Sequence, residues 1–470
     1  MKRLGVDRIH LMGIGGAGMS SLARLLFGLG YSVSGCDLER SHYADEVAAL
    51  GIPCETGHSG GHIERFKPEL VIYSSAVNEQ CEELMAARAS GAQTARRAEV
   101  LSRLFNSANG IGIAGTHGKT TTSSMISLIL TRAGLSPTLY VGADMRDMGT
   151  NAILGDGPSE LFAAELDESD GSFELFHPAL TIITNVDWDH VDHFATRRDA
   201  VDAFARFAAG RKPEAPLVTC ADDNGVQEML KILSESDNDK RGPVLRYGWG
   251  CRSWEWGAFD VTHKNGGGIS CTVAHNGTEL GRLELAVSGE HNVLNALAAI
   301  AASDALGVPF DKSSAILADF HGASRRLEIK GTRDGVLVID DYAHHPTEMR
   351  ATMSAMRGIY PGRRIILAFQ PHRYTRTAAF AQQIAEALGM ADEAILLPVY
   401  EASESPLPGG ASDDVARKVR EAGGNCTLCG SEDSALGVLS ETARDGDIVL
   451  TMGAGNIVRL GERFLKKLNK

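Results

Sequence analysis

Short apolar runs recur along the chain and end in glycine or in polar side chains. They cover residues 9–12, 70–76, 111–114, 161–169, 180–190, 336–341, 364–369 and 447–452. Runs of this length, bounded by turn residues, are typical of buried strands in a parallel sheet. Helical patterns lie between several of them, for example at residues 20–29 and 123–130. The alternation predicts an α/β protein.

The order of these elements predicts three domains, which is also what a length of 470 residues suggests. They are a Rossmann-like domain at 1–107, a P-loop ATPase-like α/β domain at 108–322, and a second Rossmann-like domain at 323–470. Within the central domain, residues 244–287 alternate apolar with polar side chains.

Two glycine-rich hairpin signals interrupt this alternating stretch, Asn265-Gly266-Gly267-Gly268 and Asn276-Gly277. They predict a small antiparallel sheet inside the central domain. We expect its three tryptophans to serve packing. They are Trp249, Trp254 and Trp256.

The formal net charge of -14 argues against a general nucleic-acid or anionic-membrane surface, because both need a basic face. The sequence contains neither the apolar core of a signal peptide nor a stretch long enough to span a membrane. We expect a cytoplasmic protein, a monomer or weak homodimer, whose eight cysteines are reduced. The one close pair, Cys426 and Cys429, leaves a metal or redox site open.

The first glycine loop, Gly13-Ile14-Gly15-Gly16-Ala17-Gly18, follows a strand and opens a helix. With Asp37 about twenty positions on, it completes the dinucleotide fingerprint. The loop provides a seat for a diphosphate, so a nucleotide-sugar diphosphate fits as well as NAD or FAD. The residues expected at this seat are Gly13, Gly15, Gly16, Ala17, Gly18, Asp37, Ser74 and Ser75.

A phosphate loop for ATP follows the strand at 111–114. Its residues are Gly115, Thr116, His117, Gly118, Lys119, Thr120 and Thr121. Backbone N–H groups and the helix N-terminus suit phosphate, the lysine suits the β/γ-phosphates, and Thr120 suits Mg²⁺. The loop is shorter than the usual P-loop, because only two residues separate its glycines.

Two further strands of the central domain run into acidic or histidine side chains. Glu165 and His190 are therefore candidate metal ligands opposite the phosphate loop. The acidic residues 167–170 can equally form a solvated turn, and His190 can be a structural or capping residue. Asn292 and Asn295 share a helix face that suits an adenine edge, although they also fit capping or turn positions.

Three strand ends of the last domain carry histidine, arginine, tyrosine and aspartate. The cluster at 341–348 includes Asp341, Tyr342 and His344, and the one at 370–376 includes His372 and Arg373. Because parallel strands place their carboxyl ends along one edge, these side chains suit an anionic substrate and an amine nucleophile.

Together these motifs closely resemble the Mur ligases of peptidoglycan synthesis over nearly the whole chain. The resemblance rests on the segments 13–20, 115–120, 167–170, 291–295, 341–348 and 369–374. It implies an ATP-dependent ligase that joins L-alanine to UDP-N-acetylmuramate through an acyl phosphate. The ligases of later steps carry a carbamylated lysine near the metal, whereas residues 192–207 contain no lysine.

The resemblance also implies roles for individual residues. Lys119, Glu165, His190, His344 and Arg373 would be catalytic, with Thr120 and Glu165 on one Mg²⁺ and Glu165 and His190 on a second. ATP would also contact Asn292, Asn295, Asp341 and either Arg325 or Arg326. The amino acid would lie against Tyr342, His344, His372, Arg373 and Arg376.

Three other functions remain open at this point. A murein tripeptide recycling ligase has the same architecture. A nicotinamide-dependent oxidoreductase explains the first glycine loop but leaves the phosphate loop without a use. A nucleotide-sensing regulator leaves the polar cluster of the last domain without one.

Overall fold

The computed structural model describes residues 4–157, 160–235, 242–250, 254–264 and 267–467. The first sheet is parallel throughout, in the strand order β3-β2-β1-β4-β5. Its strands are β1 (Arg8–Met12), β2 (Ser32–Asp37), β3 (Cys54–Thr56), β4 (Leu70–Tyr73) and β5 (Gln93–Arg96). The helices between and after them are α1 (Ala17–Gly28), α2 (His42–Ala49), α3 (Gly60–Phe66), α4 (Glu82–Ala89) and α5 (Arg97–Asn106).

A ten-stranded sheet forms the centre of the molecule, in the order β15-β14-β13-β12-β11-β10-β6-β9-β7-β8. Its strands are β6 (Asn109–Ala114), β7 (Thr138–Met145), β8 (Thr150–Ile153), β9 (Leu161–Glu165), β10 (Leu180–Ile183), β11 (Leu217–Cys220), β12 (Val244–Trp249), β13 (Trp256–His263), β14 (Ile269–His275) and β15 (Thr278–Leu285). Its helices are α6 (Lys119–Arg132), α7 (Arg197–Ala209), α8 (Asn224–Glu235), α9 (Glu290–Ala305) and α10 (Phe310–Leu317), with a 3₁₀ turn at Ser172–Leu175.

The predicted antiparallel strands are continuous with this central sheet. β13, β14 and β15 pair antiparallel, and the Asn276-Gly277 turn joins the last two. β12 departs from the expectation, because it pairs parallel with both β11 and β13. The other hairpin signal includes residues 265 and 266, which lie outside the described ranges. Trp256 is buried and stacks on His275, with ring centroids 4.2 Å apart, which is the packing role expected of it.

The third sheet has six strands in the order β16-β17-β21-β18-β19-β20, and only the edge strand β16 is antiparallel to its neighbour. The strands are β16 (Glu328–Arg333), β17 (Val336–Asp341), β18 (Ile365–Phe369), β19 (Glu393–Leu396), β20 (Cys426–Leu428) and β21 (Ile448–Met452). The helices are α11 (Pro346–Ile359), α12 (Tyr374–Leu388), α13 (Ser412–Glu421), α14 (Glu432–Thr442) and α15 (Val458–Lys467).

These three sheets confirm the predicted three-part α/β architecture. One sheet gives way to the next at the predicted limits near 107 and 323, although the exact domain boundaries stay a prediction. In the described part of the chain, no helix is both long and apolar enough to cross a membrane. Cys426 and Cys429 are buried free thiols, and neither belongs to a cluster of three or more ligand-type side chains among the described residues.

Helices α6 and α9 pack against each other in the core of the central domain. The alanines of α9 make this possible, because small side chains let two helices and the sheet approach closely. They are fully buried between residues 296 and 302. This packing fixes the N-termini of both helices, and the phosphate loop lies at one of them.

Helix α1 of the first domain packs against β7 and β8 of the central domain. Asn151 is fully buried there and donates from Nδ2 to the Ala17 carbonyl at 3.0 Å and to Ser20 Oγ at 3.2 Å. The Tyr140 hydroxyl donates to the Gly18 carbonyl at 2.9 Å. These bonds join the first glycine loop directly to the central sheet.

We predict that Gly35→Ala destabilises the protein by about 1–3 kcal/mol, the range for overpacking a filled core. A Cβ at Gly35 would lie 2.5 Å from Ile14 Cδ1 and 2.7 Å from the Leu11 carbonyl oxygen. Gly437→Ala is the control, because its Cβ meets nothing within 4 Å and it lies inside α14. It should be neutral or stabilising by up to about 1 kcal/mol. Urea denaturation of both variants measures this, and equal stabilities would contradict it.

Candidate active site

The phosphate loop connects the buried strand β6 to helix α6, which begins at Lys119. Two of its glycines are required by the space around them. A Cβ at Gly115 would lie 2.0 Å from Thr184 Oγ1, and one at Gly118 would lie 2.5 Å from Asn295 Oδ1. Both glycines also have positive φ angles, of 132° and 79°. The loop thus closes tightly over β10 and α9, and its N–H groups lie at the N-terminus of α6.

The Lys119 ammonium lies in the middle of a group of oxygens. Its Nζ donates to the Gly115 carbonyl at 2.7 Å and to Glu168 Oε2 at 2.7 Å. Burial alone would lower the pKa of Lys119, but the carboxylates of Glu168 and Asp167 outweigh it and raise that pKa. The lysine is therefore a fixed positive charge at the loop.

Glu165, at the end of β9, lies next to Thr120 as predicted. The Thr120 hydroxyl donates to Glu165 Oε1 at 2.9 Å, and the Gly142 amide donates to Oε2 at 2.8 Å. Burial raises the pKa of Glu165, and the Gly142 amide opposes that rise. A hydroxyl and a carboxylate in contact supply the oxygen ligands that Mg²⁺ prefers.

His190 lies in a second group of ligand-type side chains, with Asp167 and Glu168. His190 has a positive φ of 50°, and its Nε2 is 3.7 Å from Glu168 Oε1. His190 Nδ1 and Glu168 Oε1 are buried without hydrogen-bond partners. An unpaired buried carboxylate oxygen that lies near the imidazole Nε2 fits a cation.

Glu168 is the residue that sequence reasoning underestimated. Its side chain is 2% exposed, so residues 167–170 are not simply a solvated turn. Its position three residues after the end of β9 was the available signal. The contact with Lys119, 49 positions earlier in the chain, gave none.

Asn292 and Asn295 both lie at the phosphate loop. Asn295 Nδ2 donates to Asn292 Oδ1 at 3.1 Å, and the Thr122 hydroxyl donates to Asn295 Oδ1 at 3.3 Å. Asn292 Nδ2 donates to the Ser288 carbonyl at 2.7 Å. The pair is part of an internal network, and both residues also line a cleft.

This cleft, of about 510 Å³, lies between the central and the third domain. Its lining includes His117, Thr121, Asn292, Asn295, Arg326 and Asp341. It brings together residues that the sequence predicted for one nucleotide from two different domains. Its position beside the phosphate loop makes it the candidate ATP site.

The two candidate arginines differ in their surroundings. Arg325 is held by its own domain, because it donates to Asp340 Oδ2 at 2.9 Å and to the carbonyls of Gly453 and Gly455 at 2.7 and 3.0 Å. Arg326 lines the cleft and lies 3.8 Å from Glu348. The geometry therefore favours Arg326 for phosphate contact.

Asp341 lies at the end of β17 on the same cleft. Burial raises the pKa of Asp341 to about 6, against the effects of Arg326 and of the Ala343 and Leu327 amides. Those two amides donate to its oxygens at 2.8 Å each. These two backbone amides of the third domain hold the carboxylate in place at the wall of the cleft.

His117 connects the phosphate loop to the third domain. Its Nε2 donates to Asp187 Oδ2 at 3.1 Å, and its Nδ1 is 3.5 Å from Glu348 Oε1. Burial alone would lower the pKa of His117, but its hydrogen bonds to Asp187 and Glu348 outweigh burial and raise it to about 9. The Thr347 hydroxyl donates to the same Asp187 oxygen at 2.8 Å.

Arg376 forms a second connection between the domains. Its guanidinium binds Asp189 in a bidentate manner, with Nε to Oδ1 at 2.7 Å and Nη2 to Oδ2 at 3.2 Å, and both side chains are 4% exposed. The sequence predicted Arg376 as an amino-acid ligand. In the structure its charge is already paired, so it is better placed to position its neighbours.

The remaining predicted amino-acid ligands lie together beside Arg376. His344 and His372 have ring centroids 5.9 Å apart, and His372 stacks on Tyr400. Burial and Arg376 lower the pKa of His344 to about 4, and burial and His344 lower that of His372 to about 3. Both histidines are therefore neutral near pH 7.

Arg373 and Tyr342 lie at the margin of this group. Arg373, with a positive φ of 69°, lies 2.5 Å from Asp192 and 3.5 Å from Glu404 and is about one-third exposed. Arg325 and Arg326 lie over the Tyr342 ring, 5.1 and 5.2 Å from its centroid. The arrangement offers neutral imidazoles and a partly exposed guanidinium.

In the first domain, residues predicted for the diphosphate seat lie close together, and their role stays a prediction. The Gly15 amide donates to Asp37 Oδ2 at 2.8 Å, and the Ser41 hydroxyl donates to the Gly15 carbonyl at 2.8 Å. A Cβ at Gly13 would lie 3.1 Å from Ser74 Cβ, so Ser74 borders the loop, and Ser75 beside it is exposed. Gly16 and Ala17 form the start of α1.

Comparison with known proteins shows the class to which this arrangement belongs. Three sequence profiles match: Mur ligase family catalytic domain at 8–109, Mur ligase middle domain at 113–303, and Mur ligase glutamate ligase domain at 325–455. The chain belongs to the Mur ligase family, as its motifs predicted.

Individual members of the family are similar to this chain over nearly its whole length. A UDP-N-acetylmuramate–L-alanine ligase of Desulfatibacillum aliphaticivorans is 39% identical over 460 residues, covering 97% of this chain and 98% of that protein. The crystal structure of UDP-N-acetylmuramate-alanine ligase MurC of Thermotoga maritima is 28% identical, with a TM-score of 0.81 over 98% of this chain and 99% of that one. A murein peptide ligase of Psychrobacter arcticus, 24% identical with a TM-score of 0.74 over 99% of each chain, shares the fold.

We predict that the protein loses stability as the pH rises through about 9. His117 has a folded pKa above its ordinary 6.5, so its stabilising charge is fully present below about pH 6.5 and is lost on its deprotonation. The shift corresponds to about 3 kcal/mol. Urea denaturation of wild type and His117→Gln at about pH 6.5 and 9.5 measures it.

The variant should lose most of this pH dependence. His42→Gln is the control, because the His42 side chain is 71% exposed and pairs with the carboxylates of Glu46 and Asp144. A variant His117→Gln with the full wild-type pH dependence would contradict the assignment.

Proposed function

We propose that this chain joins L-alanine to UDP-N-acetylmuramate, with conversion of ATP to ADP and phosphate. The observation that carries the proposal is a continuous set of contacts between three candidate sites. Gly18 of the first glycine loop bonds to Tyr140 of β7, and Gly142 of the same strand bonds to Glu165 beside Thr120 of the phosphate loop. His117 of that loop then meets Glu348 of the third domain.

The reaction requires two anions to meet. In the first step a lactyl carboxylate oxygen attacks the γ-phosphorus of ATP, giving an acyl phosphate and ADP. Two unit charges at 4 Å repel by about 4 kcal/mol at an effective dielectric of 20. Lys119 offsets this repulsion, because it is a fixed cation at the loop. In the second step the alanine amine attacks the acyl carbon and expels phosphate.

Magnesium fits the oxygen-rich groups near Lys119. Thr120 with Glu165, and His190 with Asp167 and Glu168, would hold one ion each. When bound, such ions supply charge neutralisation on the phosphate oxygens. The expectation from sequence gave Glu165 to both ions; the two-group arrangement replaces it in this proposal.

The third domain would place the amino acid. His344 is neutral and its Nδ1 faces the Tyr342 carbonyl at 3.0 Å, so its Nε2 can accept a hydrogen bond from the incoming amino group. His372 meets Arg376 Nη1 through its Nδ1 at 3.2 Å, so its Nε2–H can donate to the substrate. Arg373 offers a guanidinium for the alanine carboxylate. Arg376 holds this group against the central domain through Asp189 rather than binding the substrate itself.

The rival within the family is a recycling ligase for murein peptides. Such an enzyme attaches a longer peptide, and a peptide needs more room beside the third domain than alanine does.

A nicotinamide-dependent oxidoreductase is disfavoured, because its only support is the first glycine loop and Asp37. That carboxylate already accepts the Gly15 amide. We further propose a cytoplasmic location and a monomer or weak homodimer.

Phosphate release tests the function directly. The protein is incubated with ATP, Mg²⁺ and UDP-N-acetylmuramate, and L-alanine, glycine, L-serine or a murein tripeptide is added in turn. The proposal predicts the highest kcat/KM with L-alanine. Preference for the tripeptide would identify the rival, and reduction of NAD without ATP turnover would overturn the proposal.

Lys119→Ala should reduce kcat by about 100-fold or more, the size associated with loss of a preorganised group facing developing charge. It should also lower stability, because Glu168 would be left buried without its partner. Adding Glu168→Gln should restore stability without restoring turnover. Lys231→Ala, on the exposed face of α8, is the control. Turnover near wild type in the single variant would refute the phosphate-loop assignment.

Glu165→Ala and His190→Ala should each raise the Mg²⁺ concentration needed for half-maximal activity. The two sets of ligands are separate, so the double variant should combine both effects. Glu174→Gln is the control, since this carboxylate pairs with Arg206 on the surface. Magnesium titrations that superimpose for all variants would place the metal elsewhere.

Arg373→Ala should raise the KM for alanine more than the Kd of ATP or UDP-N-acetylmuramate. Removal of the Arg373 guanidinium leaves the alanine carboxylate without its ion-pair partner, while the nucleotide cleft is unchanged. Arg417→Ala on α13 serves as the surface control. Equal losses for all three ligands would mean that the variant disturbs domain contact instead, and the amino-acid site would have to be sought elsewhere.

A further inference from the structure

Five ligand-type side chains converge in the first domain, behind its glycine loop and away from the phosphate loop. Glu83 of α4 is at the centre. His10 Nε2 of β1 lies 2.8 Å from its Oε1, and His62 Nδ1 of α3 lies 3.1 Å from the same oxygen. Cys36 Sγ of β2 lies 3.1 Å from Oε2, and His58 Nδ1 lies 3.2 Å from that sulfur.

The centre of this cluster is closed to solvent. The side chains of His10 and Glu83 are both fully buried, and Cys36 is buried with them. His58 and His62 are 12% and 14% exposed, and they form the side from which an ion can enter. A fully buried carboxylate is costly unless positive charge or several donors surround it.

The orientation of His10 suggests what the cluster holds. Its Nε2 is buried without an aligned hydrogen bond, although Glu83 Oε1 is only 2.8 Å away. The other ring nitrogen, Nδ1, lies 2.8 Å from Ser34 Oγ. A histidine fixed through one nitrogen, with the other facing a carboxylate off axis, is the arrangement of metal-ligating histidines with an outer partner.

We propose that His10, Cys36, His62 and Glu83 bind one zinc ion as a closed structural site. Their ligand atoms all lie within 4.8 Å of one another. Two imidazoles, a thiolate and a carboxylate are a tetrahedral zinc donor set, and four protein ligands leave no open position for catalysis. Binding would release the Cys36 thiol proton to solvent and form a sulfur–zinc bond.

Ligand atoms in such a site stand roughly 3.3–3.6 Å apart, as bonds of about 2.0–2.3 Å require. The present contacts of 2.8–3.1 Å must therefore open by about half an ångström. His62 and His58 lie in and before the short helix α3 at the partly exposed side, which can accommodate the change. His58 would remain a hydrogen-bond partner of the cysteine sulfur.

The site would brace the diphosphate seat. The Cys36 carbonyl accepts the amides of Gly13 at 2.8 Å and Ile14 at 3.0 Å, so the metal-bound residue also holds the first glycine loop. Zinc would stiffen that loop from behind. This consequence rests on the proposed function, whereas the metal site itself does not.

Metal analysis of the full-length protein tests the proposal. The protein is prepared with excess Zn²⁺ and separated from unbound metal by gel filtration. Its zinc content is then measured by inductively coupled plasma mass spectrometry. We expect about one zinc ion per chain in wild type and less than about one tenth of that content in Cys36→Ser and His62→Asn. Cys81→Ser, a partly exposed thiol in the same domain, should keep the wild-type content.

Cobalt provides a second measurement on the same proteins. Co²⁺ in place of zinc should give a thiolate charge-transfer band that Cys36→Ser lacks. Ser34→Ala, which removes the outer partner of His10, should weaken zinc binding by about 10- to 100-fold while leaving the ligands intact. Circular dichroism of each variant shows whether it is folded.

Two results would overturn the site. One is a wild-type protein that retains no more zinc than folded Cys36→Ser and His62→Asn. The other is cobalt binding without a thiolate band. Either would mean that the cluster is a hydrogen-bond network held by protons. Zinc binding with no alanine-dependent phosphate release would leave the metal site standing and remove only the proposed function.

Discussion

Three closely spaced carboxylates beside the phosphate loop impose the constraint on which the rest of the site depends. Glu165, Asp167 and Glu168 follow a single strand end, and they repel one another unless cations lie between them. Lys119 supplies one positive charge by direct contact with Glu168. Lys119 leaves part of this negative charge without a counter-charge. The Thr120 hydroxyl and the His190 imidazole lie beside the same carboxylates, where they can complete the ligand sets of cations.

Two polar connections transmit this arrangement to the third domain. Asp187 and Asp189 follow β10, and each reaches a residue of the third domain, Thr347 and Arg376 respectively. The Arg376–Asp189 pair is buried, with both side chains 4% exposed, so it holds the amino-acid group against the central domain, whereas Thr347 is exposed. The domains thus meet through an ion pair and a hydrogen bond to two aspartates that follow the end of β10.

The features that the sequence predicted well are local ones. The strand, loop and helix around Lys119 follow one another in the chain, so their pattern specifies their geometry. The parallel pairing of β12 was missed, because alternating polarity is compatible with either pairing direction. The Arg376–Asp189 pair joins residues 187 positions apart, and the local sequence of neither segment indicates which residue it will contact. Arg325 and Arg326 are adjacent, yet only the fold shows that one is held by backbone carbonyls.

The hydrogen bond from the Gly15 amide to Asp37 bears on how such glycine loops change ligand during evolution or in the laboratory. In dinucleotide-binding proteins the equivalent acid contacts a ribose hydroxyl. Here it serves as an internal brace, so the glycine fingerprint specifies a backbone shape and not a cofactor. Exchanging residue 37 to alter cofactor preference would release the loop amide before it created any new sugar contact. Redesign of this pocket would have to begin with a replacement acceptor for Gly15.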